Sequence, residues 1–238
     1  MPHSSHIGVS ILMPAHELET SICDNIERVV AVVGAWKSCE VIVIDDGSED
    51  DTRGYAEKAA TDLVQVISYD VNRGKGGALK EGFRHSSGQT VVFLDADLDL
   101  PPEQLPEFLD TFEREGADVL VGAKRSAMIS GRYPILRRLL SLAFAAANRV
   151  LFRLPIRETQ TGLKAFKRQA LESTLPQLET AGYAFDLELL ARIRKSEGTM
   201  AETPVMLAEG SSRGLSLSTL WEIGRDTIKI WLRSLRWK

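Results

Sequence analysis

Cysteine is scarce: Cys23 and Cys39 are the only two in 238 residues, and neither has a partner at metal-ligand spacing. That argues against a disulfide framework or a zinc site, and it suits a reducing compartment. Cys23 falls in a helical pattern and reads as a small core residue. Long apolar runs are also missing. The best one, at 139–147, contains Ser141 and runs into Asn148-Arg149. It falls well short of the roughly 18 consecutive apolar residues of a membrane span. The N-terminus has no basic segment leading into a long apolar one, so no signal peptide is read. The net charge of −4 gives no global basic field, which points away from nucleic acid. No internal repeat, low-complexity tract or linker is visible.

What is present is a hydrophobic fraction of 44%, enough for one large domain or two small ones. The first half alternates strands and helices. Short β-rich runs lie at 9–13, 41–44, 64–67, 91–94 and 118–121, and Ile22, Ile26, Val29, Val30 and Val33 mark one face of an intervening helix. Such alternation predicts an α/β fold with a mostly parallel sheet and helices on both faces. Beyond about residue 122 the spacing predicts helix over 132–154, a turn at Gln160-Thr161-Gly162, helix over 184–196, strand over 200–207 and a last helix over 217–236. The expected organisation is a catalytic domain over 1–214 and a basic amphipathic helix over 215–238.

Ligands of parallel sheets gather outside the carboxyl ends of the strands, and the polar motifs of this chain sit there. Val91-Val92-Phe93-Leu94 is followed at once by Asp95-Ala96-Asp97-Leu98-Asp99, with nothing basic between the carboxylates. Carboxylates crowded at a strand end need a cation or solvent. A divalent metal shared with a phosphate-bearing substrate is one account; a solvated acidic loop capping the helix opened by Pro101-Pro102-Glu103 is the other. Asp45-Asp46-Gly47-Ser48 follows the second strand and reads either as a turn with a helix cap or as a nucleoside contact. Asn72-Arg73-Gly74-Lys75-Gly76-Gly77 opens a helix whose N-terminus can face an anion, although its spacing is not that of a P-loop. Lys124-Arg125, Arg137-Arg138 and Arg213 form a scattered basic set suited either to a solvated face or to phosphate. In the last helix Trp221, Ile228, Trp231 and Leu235 share a face beside Arg225, Lys229, Arg233, Arg236 and Lys238. That pattern suits either an interfacial membrane helix or a helix packed on its own domain.

Taken in order, Pro14-Ala15-His16-Glu17, Asp45-Asp46-Gly47-Ser48, Arg73-Gly74-Lys75-Gly76 and Asp95-Ala96-Asp97-Leu98-Asp99-Leu100-Pro101-Pro102 resemble glycosyltransferase family 2. Gln160-Thr161-Gly162-Leu163-Lys164-Ala165-Phe166 and Phe185-Asp186-Leu187-Glu188 are similar to its dolichol-phosphate mannose synthase and polyprenyl-phosphate glycosyltransferase branch. The resemblance spans about residues 7–213. It implies a GT-A (Rossmann-like) fold, a nucleotide-sugar donor and a Mg²⁺ or Mn²⁺ ion. It also implies that Pro14, Ala15, Glu17 and Asp46 hold the nucleoside. Lys75 and Asp95 would lie near the base, ribose or diphosphate. Asp97 would bind the metal, with Asp95 and Asp99 as further contacts. Arg125, Arg138 (or Arg137) and Arg213 would hold donor and lipid phosphates. His16, Asp99 and Glu158 depart from the residues commoner at those places.

The reaction so implied is inverting transfer of a hexose from GDP-mannose or UDP-glucose to a polyprenyl or dolichyl phosphate. That acceptor is already anionic near neutral pH and needs no strong base. A soluble or protein hydroxyl acceptor would need one, with Asp186 or Glu158 as candidates. A non-catalytic nucleotide-binding protein on a membrane surface is a further alternative. The expected location is cytoplasmic, peripheral on the cytoplasmic membrane face, either alone or through a separate membrane-anchoring subunit.

Overall fold

The computed structural model describes residues 8–36, 38–124, 146–182, 184–208 and 217–237, with side chains in the last helix from 224 onward. The first two-thirds of its elements follow the alternation in the sequence. They are β1 (Val9–Ala15), α1 (Ile22–Val33), β2 (Cys39–Asp46), α2 (Thr52–Lys58), β3 (Val64–Tyr69), α3 (Gly74–His85), β4 (Thr90–Leu94), α4 (Leu105–Glu115) and β5 (Val119–Lys124). Then come β6 (Leu163–Lys167), α5 (Arg168–Thr174), α6 (Phe185–Lys195), β7 (Met200–Val205) and α7 (Leu217–Ser234). The helix expected over 132–154 lies largely outside the described residues; its described end is helical at 146–152.

The strands form one seven-stranded sheet in the order β3-β2-β1-β4-β6-β5-β7. β1 pairs in parallel with β2 and β4, so Ile11 lies beside both Val41 and Val92. These central strands are apolar on both faces because both faces are covered. Ile11, Met13, Val41, Val43 and Val92 pack against α1 and α4 through Ile22, Ile26, Val29, Val33, Leu105, Phe108 and Phe112. Leu12, Ile42, Ile44, Val91 and Phe93 pack on the other side, with Leu79 of α3, Leu171 of α5 and Leu187 and Leu190 of α6. The expected α1 face is the one that is buried, with Val30 at its edge.

Two expectations change. β6 and α5 lie where the sequence reading assigned no element, between the turn at 160–162 and the helix over 184–196. β6 runs antiparallel between β4 and β5, with Phe93 and Val121 both opposite Lys164. A lysine in the middle of an inner strand hides the pattern, and this one is 1% exposed. Cys23 is not in the core: one position on from the buried Ile22, it is turned to the half-buried edge of α1. Cys23 and Cys39 are both free thiols.

Phe166 anchors β6 by stacking on Phe93 of β4, with ring centroids 4.7 Å apart. Phe166→Ala should cost about 3–5 kcal/mol, read as a lowered urea midpoint at unchanged slope. A loss under about 1 kcal/mol would remove β6 from the load carried by the core.

Candidate active site

The carboxyl ends of β2, β1 and β4 lie side by side, so the three polar motifs that follow them share one edge of the sheet. The loops after β1 and β2 are laced together. Glu17 and Leu18 donate their amides to Ser48 Oγ (3.0 Å) and Thr52 Oγ1 (2.7 Å). Glu17 Oε1 accepts the Glu49 amide at 2.7 Å. Glu17 adopts a left-handed φ of 55°, a backbone state that side chains other than glycine seldom occupy. This lacing fixes Pro14, Ala15 and Glu17 against the β2 loop.

Asp45 and Asp46 part company although they are neighbours. Asp45 Oδ1 accepts both the amide and the hydroxyl of Ser48 and closes its own turn. Asp46 is buried, and its Oδ1 accepts the Tyr69 hydroxyl (2.7 Å) and the Arg73 amide (2.8 Å). Burial and the adjacent Asp46 push the Tyr69 phenol well above its ordinary value. The Arg73 guanidinium lies over the Tyr69 ring at 4.2 Å. The side-chain helix cap anticipated for this loop is not made: the N-cap residue of α2, Asp51, has no side-chain cap hydrogen bond, while Asp50 Oδ1 accepts the Thr52 amide at 3.0 Å.

The acidic loop after β4 is a tight turn. Leu98 is buried with φ 50°, and the Asp99 amide donates to Asp97 Oδ1 at 3.2 Å. Ala96 and Leu98 point inward, held by Asn25 Nδ2 on the Ala96 carbonyl at 2.9 Å. The three carboxylates therefore alternate outward, but they do not converge. Among the described residues no three His, Cys, Asp or Glu side chains gather around one point fit for a metal. Asp95 finds its cation elsewhere: Lys75 Nζ, in the first turn of α3, stands 2.6 Å away. A lysine twenty residues earlier in the sequence thus supplies Asp95 with the charge that its immediate neighbours lack. Burial alone would raise the Asp95 carboxyl, but Lys75 reverses this and holds it below the usual carboxylate range.

Asp97 is different. It is exposed, and among the described residues no ion pair reaches it. Its carboxyl sits above the ordinary value, through partial desolvation first and then the like charges of Asp95 and Asp99. A hard divalent ion fits such a group: it relieves the repulsion and leaves further positions for phosphate oxygens and water. Lys124 and Asp99 line the cleft beside Asp95. Gly162 closes the other side, where a Cβ would stand 2.5 Å from Asp95 Oδ2. Gly76 serves the same purpose on α3. Its amide donates to the Ala181 carbonyl at 3.0 Å, and a Cβ there would meet the Phe185 ring at 2.4 Å.

Neither candidate base is free. Glu158 Oε1 accepts the amides of Thr159 (3.0 Å) and Gln160 (2.9 Å) and so caps its own turn. Asp186 is buried between Lys164 at 2.9 Å and Lys75 at 3.7 Å. Both candidates thus have partners of their own in this structure. Arg125, Arg137, Arg138 and Arg213 lie outside the described residues. Tyr69, Lys164, Ser48 and Gly162 escaped individual notice in the sequence. The Gln-Thr-Gly-Leu-Lys motif offered a signal for Gly162 and Lys164, and the Asp-Asp-Gly-Ser motif one for Ser48.

Residues 10–175 match the profile of Glycosyl transferase family 2. The chain belongs to that family. It is similar to the dolichyl-phosphate beta-glucosyltransferase of Homo sapiens, with 33% identity across 82% of this chain and 64% of that one. The Drosophila melanogaster protein of the same name is 29% identical across 98% and 77%. Glycosyltransferase AglD of Haloferax volcanii is 29% identical across 84% of this chain, which spans only 33% of AglD. Among solved structures, glucosyl-3-phosphoglycerate synthase from Mycobacterium tuberculosis has a TM-score of 0.74 and 25% identity, covering 96% of this chain and 79% of that one. It was crystallised with Mn²⁺, UDP-glucose and phosphoglyceric acid.

Removing the phenol of Tyr69 tests the Asp46 socket. Tyr69→Phe should lose about 1.5–3 kcal/mol in chemical denaturation, because a buried carboxylate oxygen forfeits one of two donors. A loss below about 0.5 kcal/mol would mean that water replaces the hydroxyl at no cost.

Proposed function

We propose that this chain transfers glucose from UDP-glucose to a polyprenyl or dolichyl phosphate, with inversion and with a divalent metal. The observation that carries the reading is the open Asp97 carboxylate beside the Lys75–Asp95 pair at the shared strand edge. The names of the curated relatives favour glucose and a lipid phosphate over mannose. Asp46, Glu17, Pro14 and Ala15 take the nucleoside, and Lys75 takes the diphosphate. Asp97, with Asp99 beside it, holds Mg²⁺ or Mn²⁺, whose charge stabilises the departing diphosphate. Arg125, Arg138 and Arg213 keep the phosphate-holding role that their resemblance gives them.

In this reaction an acceptor phosphate oxygen attacks the anomeric carbon and the bond to the nucleoside diphosphate breaks. The phosphate is already deprotonated, so the commitment of Asp186 and Glu158 elsewhere costs nothing. A soluble phosphate-bearing acceptor is the second reading, favoured by the likeness to glucosyl-3-phosphoglycerate synthase.

The test is nucleotide release by the purified chain with Mg²⁺ or Mn²⁺, UDP-glucose or GDP-mannose, and polyprenyl phosphate or phosphoglycerate. UDP release that needs the lipid and stops with EDTA is expected. Release that ignores the lipid but needs phosphoglycerate would move the acceptor into solution. Asp97→Ala should lower turnover at least about a hundredfold; near-normal turnover with metal present would sink the mechanism.

A lipid acceptor calls for a membrane surface, and α7 has a face for one. Inward it buries Thr227 and Ile230, with Trp231 and Trp237 packed on the same core. Outward it presents Ile228, Leu232 and Leu235, interleaved with exposed Arg225, Lys229 and Arg236. The two readings of this helix thus belong to its two sides. Among the described residues no helix is long and apolar enough to cross a membrane. An apolar ridge edged by cations suits peripheral contact with an anionic lipid surface. Leu232→Glu with Leu235→Glu should cut co-sedimentation with phosphatidylglycerol vesicles at least about tenfold while UDP-glucose hydrolysis stays level. Unchanged sedimentation would dismiss the membrane role of α7.

A further inference from the structure

Four alternating charges cross from the sheet edge into the core. Asp95 meets Lys75 at 2.6 Å, Lys75 meets Asp186 at 3.7 Å, and Asp186 meets Lys164 at 2.9 Å. The outer pair is partly open, with side-chain exposures of 36% for Asp95 and 30% for Lys75. The inner pair is closed, at 7% for Asp186 and 1% for Lys164. Lys164 also donates to the Thr161 carbonyl at 2.6 Å, which fixes its ammonium at the start of β6. Asp186 is held in turn by the start of α6, whose preceding loop accepts the Gly76 amide through Ala181.

A closed ion pair is a costly way to fill a core. Each charge loses several kcal/mol of hydration, and apolar side chains of similar volume often serve stability equally well. Among the described residues the ion pairs of Asp186 are to Lys164 and to the half-buried Lys75. Their arrangement makes sense if what they hold matters more than what they fill.

We propose that Asp186, braced by Lys164, is a positioning residue for Lys75: it keeps the ammonium at the donor edge when Asp95 leaves it for the donor or its metal. This deepens the transferase reading and rests on it. With one carboxylate only, Lys75 would have to give up its sole partner each time Asp95 turned away. With two, it slides from a 2.6 Å contact toward a neighbour already 3.7 Å away. Asp186 cannot follow it outward, because Lys164 pins it. Burial alone would lower the Lys75 ammonium, yet the two carboxylates together hold it above its usual value, so it stays charged. On Lys164 burial and the neighbouring Lys75 outweigh Asp186 and draw the ammonium down.

The experiment is UDP binding by calorimetry to the full chain with Mn²⁺, alongside thermal melting. Asp186→Asn should weaken UDP at least about tenfold. In a Lys75→Met background the same change should add less than about twofold, because Asp186 acts only through Lys75. Should Asp186→Asn fold poorly, the charge-balanced pair Asp186→Asn with Lys164→Met restores neutrality and should still bind UDP weakly. Equal losses with and without Lys75, or UDP binding at the wild-type level in Asp186→Asn or in the balanced pair, overturn the proposal. A wild-type chain that binds neither UDP nor GDP overturns the transferase reading itself and this one with it. A wild-type chain that binds UDP with Asp186 silent overturns this one alone.

Discussion

The contact between Lys75 and Asp95 ties the first turn of α3, which covers one face of the sheet, to the acidic loop that leaves β4. Around this contact the backbone approaches closely, and each approach is made where a side chain is missing. Gly162 brings the start of β6 up against Asp95, and Gly76 brings α3 against Phe185 and Ala181. A methyl group at either place would force the ion pair or its supports apart. The electrostatics of the site thus set the steric terms for four elements.

A second kind of constraint shapes the loops after β1 and β2. There the charges are carboxylates, and backbone amides satisfy them. Glu17, Asp46 and Asp50 each accept an amide from another part of the edge. Carboxylates that accept such bonds are held in place without a counter-ion. The contrast with Asp97 is the useful one: unlike Asp95, it is exposed with no lysine at ion-pair distance among the described residues, and its Oδ1 accepts the Asp99 amide.

Much of this was legible in the residues. Val9–Ala15, Cys39–Asp46 and Thr90–Leu94 announce buried parallel strands, and the acids after them announce the edge where a ligand binds. What stayed hidden depended on distance in sequence. Asp95 has no basic neighbour in the sequence, yet Lys75 reaches it from the preceding helix, twenty residues away. β6 was obscured by Lys164, whose charge belongs to a buried ladder that no local pattern encodes. Asp186 is an acid near a site in the sequence; only the fold shows the two lysines beside it. Cys23 illustrates a smaller lesson, since one step around a helix separates a core position from its margin.

The antiparallel course of β6 has a further consequence. β5 runs toward the site edge and ends at Lys124; β6 starts at that same edge and runs back beside it, with Val121 opposite Lys164. Chain leaving one strand and rejoining the next at the same rim can be lengthened, shortened or exchanged without breaking a single rung of the ladder between them. Added loop length is cheap in entropy, growing only with its logarithm. The architecture therefore frees the length of that span from the β5–β6 ladder but not its sequence near β6, where Phe152, Leu154 and Ile156 are buried in the core and Gly162 lies against Asp95.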